Sequence, residues 1–297
     1  MNRRLKDLIA SRFMLLATVS SSLIVFIIAL TLFNRSRPIL ATQPLSELLL
    51  SSSWRPLQGD FGFFPFIMGT LWVTALAMIL AIPVCLLSAI YLAEYAPAKV
   101  RGIVKPLTDL LAGIPSVVYG LWGVLTLVPL IRDYVAPFLG ITSSGHGYTV
   151  LTGGIVLAIM VFPIIISVSE EVFRTVPYGV REASLALGAT KWQTVKHVVM
   201  RRAFPGVAAA IILGFSRAFG ETMAVLMVVG NVPKAPSSVF DPAYPLPALI
   251  ANTYGEVMSI PLYDSAILLA SLILLLVVLF FNIVARIILR RLKRRSL

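Results

Sequence analysis

A polar stretch between two apolar runs decides the fold, and it reads Arg181-Glu182-Ala183-Ser184-Leu185-Ala186-Leu187-Gly188-Ala189-Thr190-Lys191-Trp192-Gln193. Gly188 fits the position after a helix end, where a residue without Cβ takes the left-handed conformation without steric cost. Thr190 and Gln193 have the spacing of a capping box, which starts a helix. The pattern predicts a helical hairpin within residues 170–206, called the hairpin below. Such a segment is typical of a docking site for another protein, and an ordinary solvated loop with helical ends is the alternative.

The composition of the chain identifies a membrane protein. Of its 297 residues, 58% are hydrophobic and only 13% are charged, about half the charged fraction of a soluble domain. The net charge of +12 does not indicate nucleic-acid binding, because the basic residues are spread between apolar runs. Cys85 is the single cysteine, and the two histidines have no partners at ligand spacing. We therefore expect no disulfide within the chain, no metal site and no cofactor.

Six apolar stretches are long enough to cross a bilayer, which requires about 20 residues for a hydrocarbon core of about 30 Å. They are Phe13–Phe33, Ile67–Tyr91, Leu111–Ile131, Thr149–Val168, Val207–Val229 and Ala266–Ala285. The sequence therefore predicts an all-α polytopic membrane protein with six transmembrane helices. We divide it into an N-terminal tail, first helix and external loop (1–62), a transmembrane core containing the hairpin (63–290), and a basic cytoplasmic tail (291–297).

Lysine and arginine are distributed unequally between the two sides of these spans. The side that carries the N-terminus, the hairpin and the C-terminal tail holds 19 of the 25 basic residues. Because cytoplasmic loops carry an excess of Lys and Arg, we expect both termini and the hairpin to be cytoplasmic. The basic run Arg290–Arg295 directly follows a span, so we interpret it as a topology and anionic-lipid anchor.

The third span contains helix-breaking residues. Pro115 and three glycines within residues 113–123 predict a kinked or interrupted helix. Irregular backbone at membrane depth is tolerated only against protein or a water-filled cavity, so Ser116 and Tyr119 are candidates for lining a transport pathway. The alternative is that the glycines only permit close packing of helices.

The fifth span carries two charges, Arg217 and Glu221. On one helix they would lie on the same face, four residues apart. Charges at membrane depth are costly and must face protein or water, so they are candidates for the transport pathway. A self-neutralising structural pair is the alternative. Arginine before glutamate is the less favourable order for such a pair, and stability alone is a weak reason to keep a buried ion pair.

Enzymatic activity is not predicted for this chain. No segment matches the phosphate-cradling pattern G-x-x-x-x-G-K-[ST], so the sequence has no predicted ATP site. No nucleophile lies near a base at a spacing typical of a catalytic pair. Glu221 is the only carboxylate in any predicted span. Energy for uphill transport must then come from a partner or from an ion gradient.

The hairpin and four other segments resemble a known family. Glu182-Ala183-Ser184, followed by Gly188, resembles the EAA signature of the ABC importer permeases. Within that family, the segments similar to PstC-type phosphate permeases are Phe64–Leu71, Ala89–Ala96, Gly113–Gly120 and Gly220–Val225. The chain departs from the signature at Met200-Arg201, where the family has Leu-Pro, and its proline follows only at Pro205.

The resemblance implies a type I ABC importer permease for inorganic phosphate in a bacterial inner membrane. The hairpin would dock on an ATPase subunit through Glu182, Ala183, Ser184 and Gly188. The implied partners are a second, PstA-like permease subunit, two ATP-binding subunits, a periplasmic phosphate-binding protein and the lipid bilayer. ATP hydrolysis would take place in the separate ATPase subunits, and no nucleic acid is involved. Arg217 would lie near the path of the anion, with Glu221 and Thr222 beside it.

Two other functions remain open at this point. The same architecture serves other oxyanions, such as sulfate or molybdate. A stand-alone secondary phosphate carrier would need no ATPase, but it would leave the hairpin without a role.

Overall fold

The computed structural model describes residues 3–141, 147–254 and 262–295, which are almost entirely helical. The α-helices are α1 Arg3–Thr42, α2 Leu45–Leu50, α3 Phe64–Ile90, α4 Ala98–Gly113, α5 Ser116–Trp122, α6 Val128–Leu130, α7 Ala136–Phe138, α8 Val150–Arg174, α9 Tyr178–Ala186, α10 Lys191–Thr194, α11 Met200–Phe219, α12 Met223–Val228, α13 Leu246–Thr253 and α14 Tyr263–Arg295. π-Helical turns lie at Tyr91–Tyr95, Gly123–Leu127, Ile131–Val135 and Val195–Val199. A two-stranded antiparallel ribbon pairs β1 Trp54–Arg55 with β2 Asp60–Phe61 around a 3-10 turn at Pro56–Gln58.

Six helices among the described residues are long and apolar enough to cross a membrane. They cover Ile9–Thr42, Phe64–Tyr95, Ser116–Phe138, Val150–Arg174, Lys191–Phe219 and Tyr263–Val284. The prediction of an all-α protein with six spans is confirmed. The last helix runs on to Arg295, so the described part of the predicted tail 291–297 continues that helix.

The third span begins later than predicted, at Ser116 rather than Leu111. α4 ends at Gly113, and Ile114 and Pro115 are extended, with ψ angles of 129° and 142°. Proline disfavours the α conformation in the residue before it, which ends α4 at this point. The predicted interruption is confirmed, and Leu111 belongs to the preceding amphipathic helix instead of the span.

The fifth span differs more strongly from the predicted Val207–Val229. Its helix begins in the hairpin at Lys191, passes through the π-helical turn and ends at Phe219. Gly220 follows that end, and the separate short helix α12 starts at Met223. The second helix of the hairpin and the fifth span are therefore one continuous helix.

α3, α8 and α11 form the centre of the molecule, and small residues allow them to pack closely. A Cβ added to Gly154 would lie 2.8 Å from Leu76 Cδ2, and one added to Gly214 would lie 2.6 Å from Ile165 Cδ1. Because only glycine fits at such contacts, the helices approach each other without gaps. This scaffold positions the hairpin at one end and the loop before α13 at the other.

The loop between α12 and α13 completes the start of α8. The backbone N–H of Val150 donates to the carbonyl of Asp241 at 2.9 Å, and that of Leu151 donates to the carbonyl of Val239 at 2.8 Å. The first N–H groups of a helix have no partner within it, so these bonds satisfy donors that would otherwise be unpaired.

Candidate functional site

Two interrupted helices pack against each other next to their interruptions. A Cβ on Gly120 of α5 would lie 3.1 Å from Ala224 Cα of α12, and one on Gly123 would lie 2.8 Å from Val228 Cγ1. The earlier residue of one segment contacts the earlier residue of the other, and the later contacts the later, so α5 and α12 run parallel. Their N-termini, and the chain breaks that precede them, therefore lie at the same end of the contact.

Tyr119 lies at these breaks. Its side chain is buried, and its hydroxyl donates to the carbonyl of Leu111 at 2.8 Å, across the interruption between α4 and α5. Arg217 is close enough to interact electrostatically with this tyrosine. Ser116 is the first residue of α5 and is half-buried. The structure thus places Tyr119 of the third span within electrostatic range of Arg217 of the fifth.

Arg217 lies in the last turn of α11 and is exposed. The ion pairs of the described residues do not include one between Arg217 and Glu221. A helix C-terminus favours a positive charge, because its last carbonyls carry partial negative charge. The guanidinium is therefore tolerated there while it remains available to another group.

The prediction of Arg217 and Glu221 on one helical face is wrong, because α11 ends at Phe219 and Glu221 lies beyond it. Glu221 instead accepts a long hydrogen bond of 3.4 Å from the backbone N–H of Ala224, at the start of α12. The half-buried Thr222 donates to the carbonyl of Gly220, also at 3.4 Å. Glu221 and Thr222 therefore occupy the break itself, between Gly220 and the start of α12.

The hairpin has the predicted turn. Gly188 has φ +84°, and its N–H donates to the carbonyl of Leu185 at 2.9 Å. The N–H of Ala189 donates to the carbonyl of Ser184 at 3.3 Å, which completes a Schellman motif at the end of α9. Thr190 and Gln193 form both bonds of the capping box that starts α10. Both local predictions are confirmed.

The signature residues take different positions in the hairpin. Glu182 and Ala183 are exposed, whereas the hydroxyl of Ser184 lies 2.9 Å from that of Thr194 and joins the two helices. Around them is an exposed apolar surface with relative accessibilities of 78%, 47%, 89% and 51% for Tyr178, Leu185, Leu187 and Trp192. An exposed apolar patch of this kind is typical of a surface that contacts another protein or a membrane.

Sequence reasoning missed the charges that attach the hairpin to the spans. Arg181 Nη2 lies 2.7 Å from Oε1 of Glu94, and the two side chains are 12% and 8% exposed. The buried Glu170 pairs with Arg101 at 3.7 Å and with Arg174 at 3.5 Å. The available signal was Glu94 itself, a single acidic residue at the end of the second span. Among the described residues, no group of three His, Cys, Asp or Glu side chains could hold a metal ion.

Comparison with known proteins places these features in context. The family model of the binding-protein-dependent transport system inner membrane component matches residues 81–295. The phosphate transport system permease protein PstC of Xylella fastidiosa (strain Temecula1) is 38% identical over 299 residues, covering 97% of this chain and 89% of that protein. A PstC from Mesorhizobium japonicum is 35% identical over 91% of this chain and 85% of its own length. The probable ABC transporter permease protein YqgH of Bacillus subtilis is 41% identical over 75% of this chain and 72% of its own length.

Solved structures show the same fold at low sequence identity. The bacterial alginate ABC transporter, in complex with an alginate pentasaccharide-bound periplasmic protein, has a TM-score of 0.61 at 16% identity, covering 97% of this chain and 98% of that chain. The inward-facing MetNI methionine ABC transporter has a TM-score of 0.58 at 20% identity, covering 75% of this chain and 93% of that chain.

Proposed function

Because the chain belongs to the family of binding-protein-dependent transport system inner membrane components, we propose that it is the membrane permease subunit of an ATP-driven importer for inorganic phosphate. The observation that carries this proposal is 38% identity with a phosphate permease over 97% of the chain. The protein is a multi-pass inner membrane protein, and its role is transport rather than catalysis.

The transport pathway passes the paired interruptions of the third and fifth spans. Arg217 supplies the positive charge for a phosphate anion, and Ser116, Tyr119 and Thr222 line the path near it. Support comes from the exposed guanidinium and its proximity to Tyr119. Irregular backbone at both breaks is compatible with membrane depth where it lines a cavity. Glu221 influences the anion from the second break, not as a helical partner of Arg217.

Several subunits complete the transporter. A second, PstA-like permease closes the pathway on the side where Arg217 is exposed. Two ATP-binding subunits dock on the hairpin through Glu182, Ala183, Ser184 and Gly188 and the apolar side chains around them. A periplasmic phosphate-binding protein delivers the substrate on the opposite side. This arrangement of subunits requires the hairpin and both termini to be cytoplasmic. The excess of lysine and arginine on the side of the hairpin agrees with it.

The division of the chain follows from these roles. Residues 63–290 form the permease core, with the hairpin at 170–206 as its coupling element. Residues 1–62 form the tail, first span and external loop, and residues 291–297 form a basic tail that anchors the end of α14 at the membrane surface.

The proposal is tested by phosphate uptake into membrane vesicles that contain this chain with and without the candidate permease, ATPase and binding-protein partners. We expect uptake only with the full set and only with ATP inside the vesicle. Uptake by this chain alone would indicate a secondary carrier. Inhibition by sulfate or molybdate at concentrations equal to that of phosphate would instead assign another oxyanion.

A further inference from the structure

The π-helical turn Tyr91–Tyr95 at the end of the second span receives the hairpin. Its Glu94 side chain is 8% exposed and faces Arg181, which is 12% exposed. Arg181 donates through Nη2 to Glu94 Oε1 at 2.7 Å and through Nε to Oε2 at 3.2 Å. This planar, two-pronged arrangement defines both the distance and the orientation of the pair.

The guanidinium of Arg181 also binds the end of the fourth span. It donates to the carbonyl of Phe173 at 2.8 Å and to that of Val176, and it lies over the ring of Tyr178 at 5.2 Å. Phe173 lies in the last turn of α8, whose final carbonyls have no partners within the helix, and Val176 lies just beyond the helix end. One side chain thus connects α9 of the hairpin to the ends of α3 and α8.

The next residue of the turn holds the other half of the hairpin. Nζ of Lys191, at the start of α10, lies 4.4 Å from the centre of the Tyr95 ring, which is a cation–π distance. Both helices of the hairpin therefore contact adjacent residues of the same turn, and Ser184 and Thr194 join those helices to each other.

The turn is itself held in place. Arg101 of α4 donates to the carbonyl of Leu92 from Nε at 3.0 Å and from Nη2 at 2.8 Å, and its Nε lies 3.7 Å from the buried Glu170 of α8. The turn cannot move relative to α4 and α8 without breaking these bonds. The hairpin and the second span are therefore connected through a rigid element.

Movement of the hairpin has two routes into the membrane. One is covalent, along the continuous helix Lys191–Phe219 to Arg217. The other leads through Glu94 and Tyr95 into α3, which packs at the centre of the fold. A buried ion pair contributes little stability that apolar residues would not supply, so stability alone does not explain Glu94 and Arg181.

We propose that Glu94 is a positioning residue of transport, which acts through Arg181 and, together with Tyr95, makes the second span move with the hairpin. This inference rests on the proposed function, since it assumes that a partner moves the hairpin. In the transport cycle, closure of the ATPase subunits would displace α3 as well as α11. Loss of the connection would leave ATP hydrolysis intact but would uncouple it from phosphate import.

The test is the amount of phosphate imported per ATP hydrolysed by the complete complex in proteoliposomes. Glu94→Gln removes the charge and retains the size of the side chain, and we expect the ratio to fall about tenfold, within the usual range of coupling between sites. Tyr95→Leu removes the cation–π contact and retains an apolar side chain, and we expect a fall of about threefold, because such contacts are weaker. Glu94→Asp retains the charge and should restore most of the ratio.

Asp133→Asn is the matched control, since Asp133 forms an exposed pair with Arg132 at 2.7 Å and lies outside the hairpin. Its ratio should equal that of the wild type. An unchanged ratio for assembled Glu94→Gln complexes would overturn the inference. If those complexes do not assemble, Tyr95→Leu decides: a reduced ratio supports the inference and an unchanged ratio refutes it. Wild-type uptake without ATPase subunits would instead refute the proposed function.

Discussion

The hairpin and the region around Arg217 lie at opposite ends of the helix Lys191–Phe219, and they satisfy their charges differently. At the hairpin, Arg181 has a carboxylate, two carbonyls and an aromatic ring as partners. At the other end, Arg217 is exposed and has no ion pair among the described side chains. The charge of Arg181 is therefore satisfied within this chain, whereas Arg217 is free to meet a group from outside it, which in the proposed transporter is a second subunit or the anion. This difference separates a structural arginine from one available to a substrate.

The largest effect on phosphate uptake is expected at the Arg217 end of this helix. Arg217→Gln should reduce phosphate uptake about 10²-fold, because it removes a charged contact worth up to about 3 kcal/mol. Arg217→Lys should recover part of the rate, since an ammonium group lacks the planar fork of a guanidinium. Uptake into proteoliposomes at matched protein levels measures both.

Arg55→Gln is the control, because Arg55 is exposed in β1 and lies outside both the hairpin and the breaks. Its uptake should remain near the wild-type rate. Wild-type uptake by the double variant Arg217→Leu, Glu221→Leu would show that these charges are structural, and the contrast between the two ends would then disappear.

The next effect is expected at the turn of the hairpin. A Cβ at Gly188 would meet no atom within 4 Å, so Gly188→Val acts only through the backbone at φ +84°. A left-handed residue with Cβ costs about 1–2 kcal/mol, and we expect ATP hydrolysis to continue while phosphate import falls. Gly179→Ala is matched, since its Cβ also meets no atom within 4 Å and its φ is not in the left-handed region. Normal ATP-dependent uptake by Gly188→Val would remove the assigned coupling role of this turn.

A smaller effect is expected where α5 packs on α12. The Cβ of Gly120→Ala would lie 2.7 Å from Met227 Sδ and 3.1 Å from Ala224 Cα, so α12 must shift by a few tenths of an ångström. Overpacking of this kind costs about 1–3 kcal/mol, and we expect a few-fold lower uptake with a modest loss of thermal stability. Gly113→Ala, whose Cβ has no neighbour within 4 Å, should leave both measurements unchanged. Equal uptake by the two variants would show that the position of α12 does not affect transport.

The smallest effect concerns pH and the loop that caps α8. Hydrogen bonds from Ser237, with a further one from Ser238, hold the pKa of Asp241 below its ordinary value. Because the folded pKa is the lower one, this stabilisation is present above the unfolded pKa of about 3.9 and is lost as pH falls through the folded pKa. The wild type should therefore have a higher Tm than Asp241→Asn at neutral pH, with a difference that shrinks on acidification. A difference that is constant from neutral pH down to about pH 3 would contradict this assignment.

Local rules predicted the features of the fold that depend on one or two neighbouring residues. The turn at Gly188, the capping box of Thr190 and the interruption at Pro115 all follow from backbone chemistry that acts within a few positions. The break after Phe219 was missed because apolar residues on both sides of Gly220 read as one continuous span. The pairing of Arg181 with Glu94 was also missed, because it joins residues 87 positions apart and no local pattern records such a contact.

The bonds from Val150 and Leu151 to the loop that contains Asp241 have a consequence for biogenesis. The amide groups at the start of the fourth span find their partners in a segment that the ribosome makes later, after the hairpin and the fifth span. At a synthesis rate of about 5–20 residues per second, the delay lasts several seconds. During that time the fourth span is inserted with these amides still hydrated. Its final position is therefore set only after the fifth span has been made.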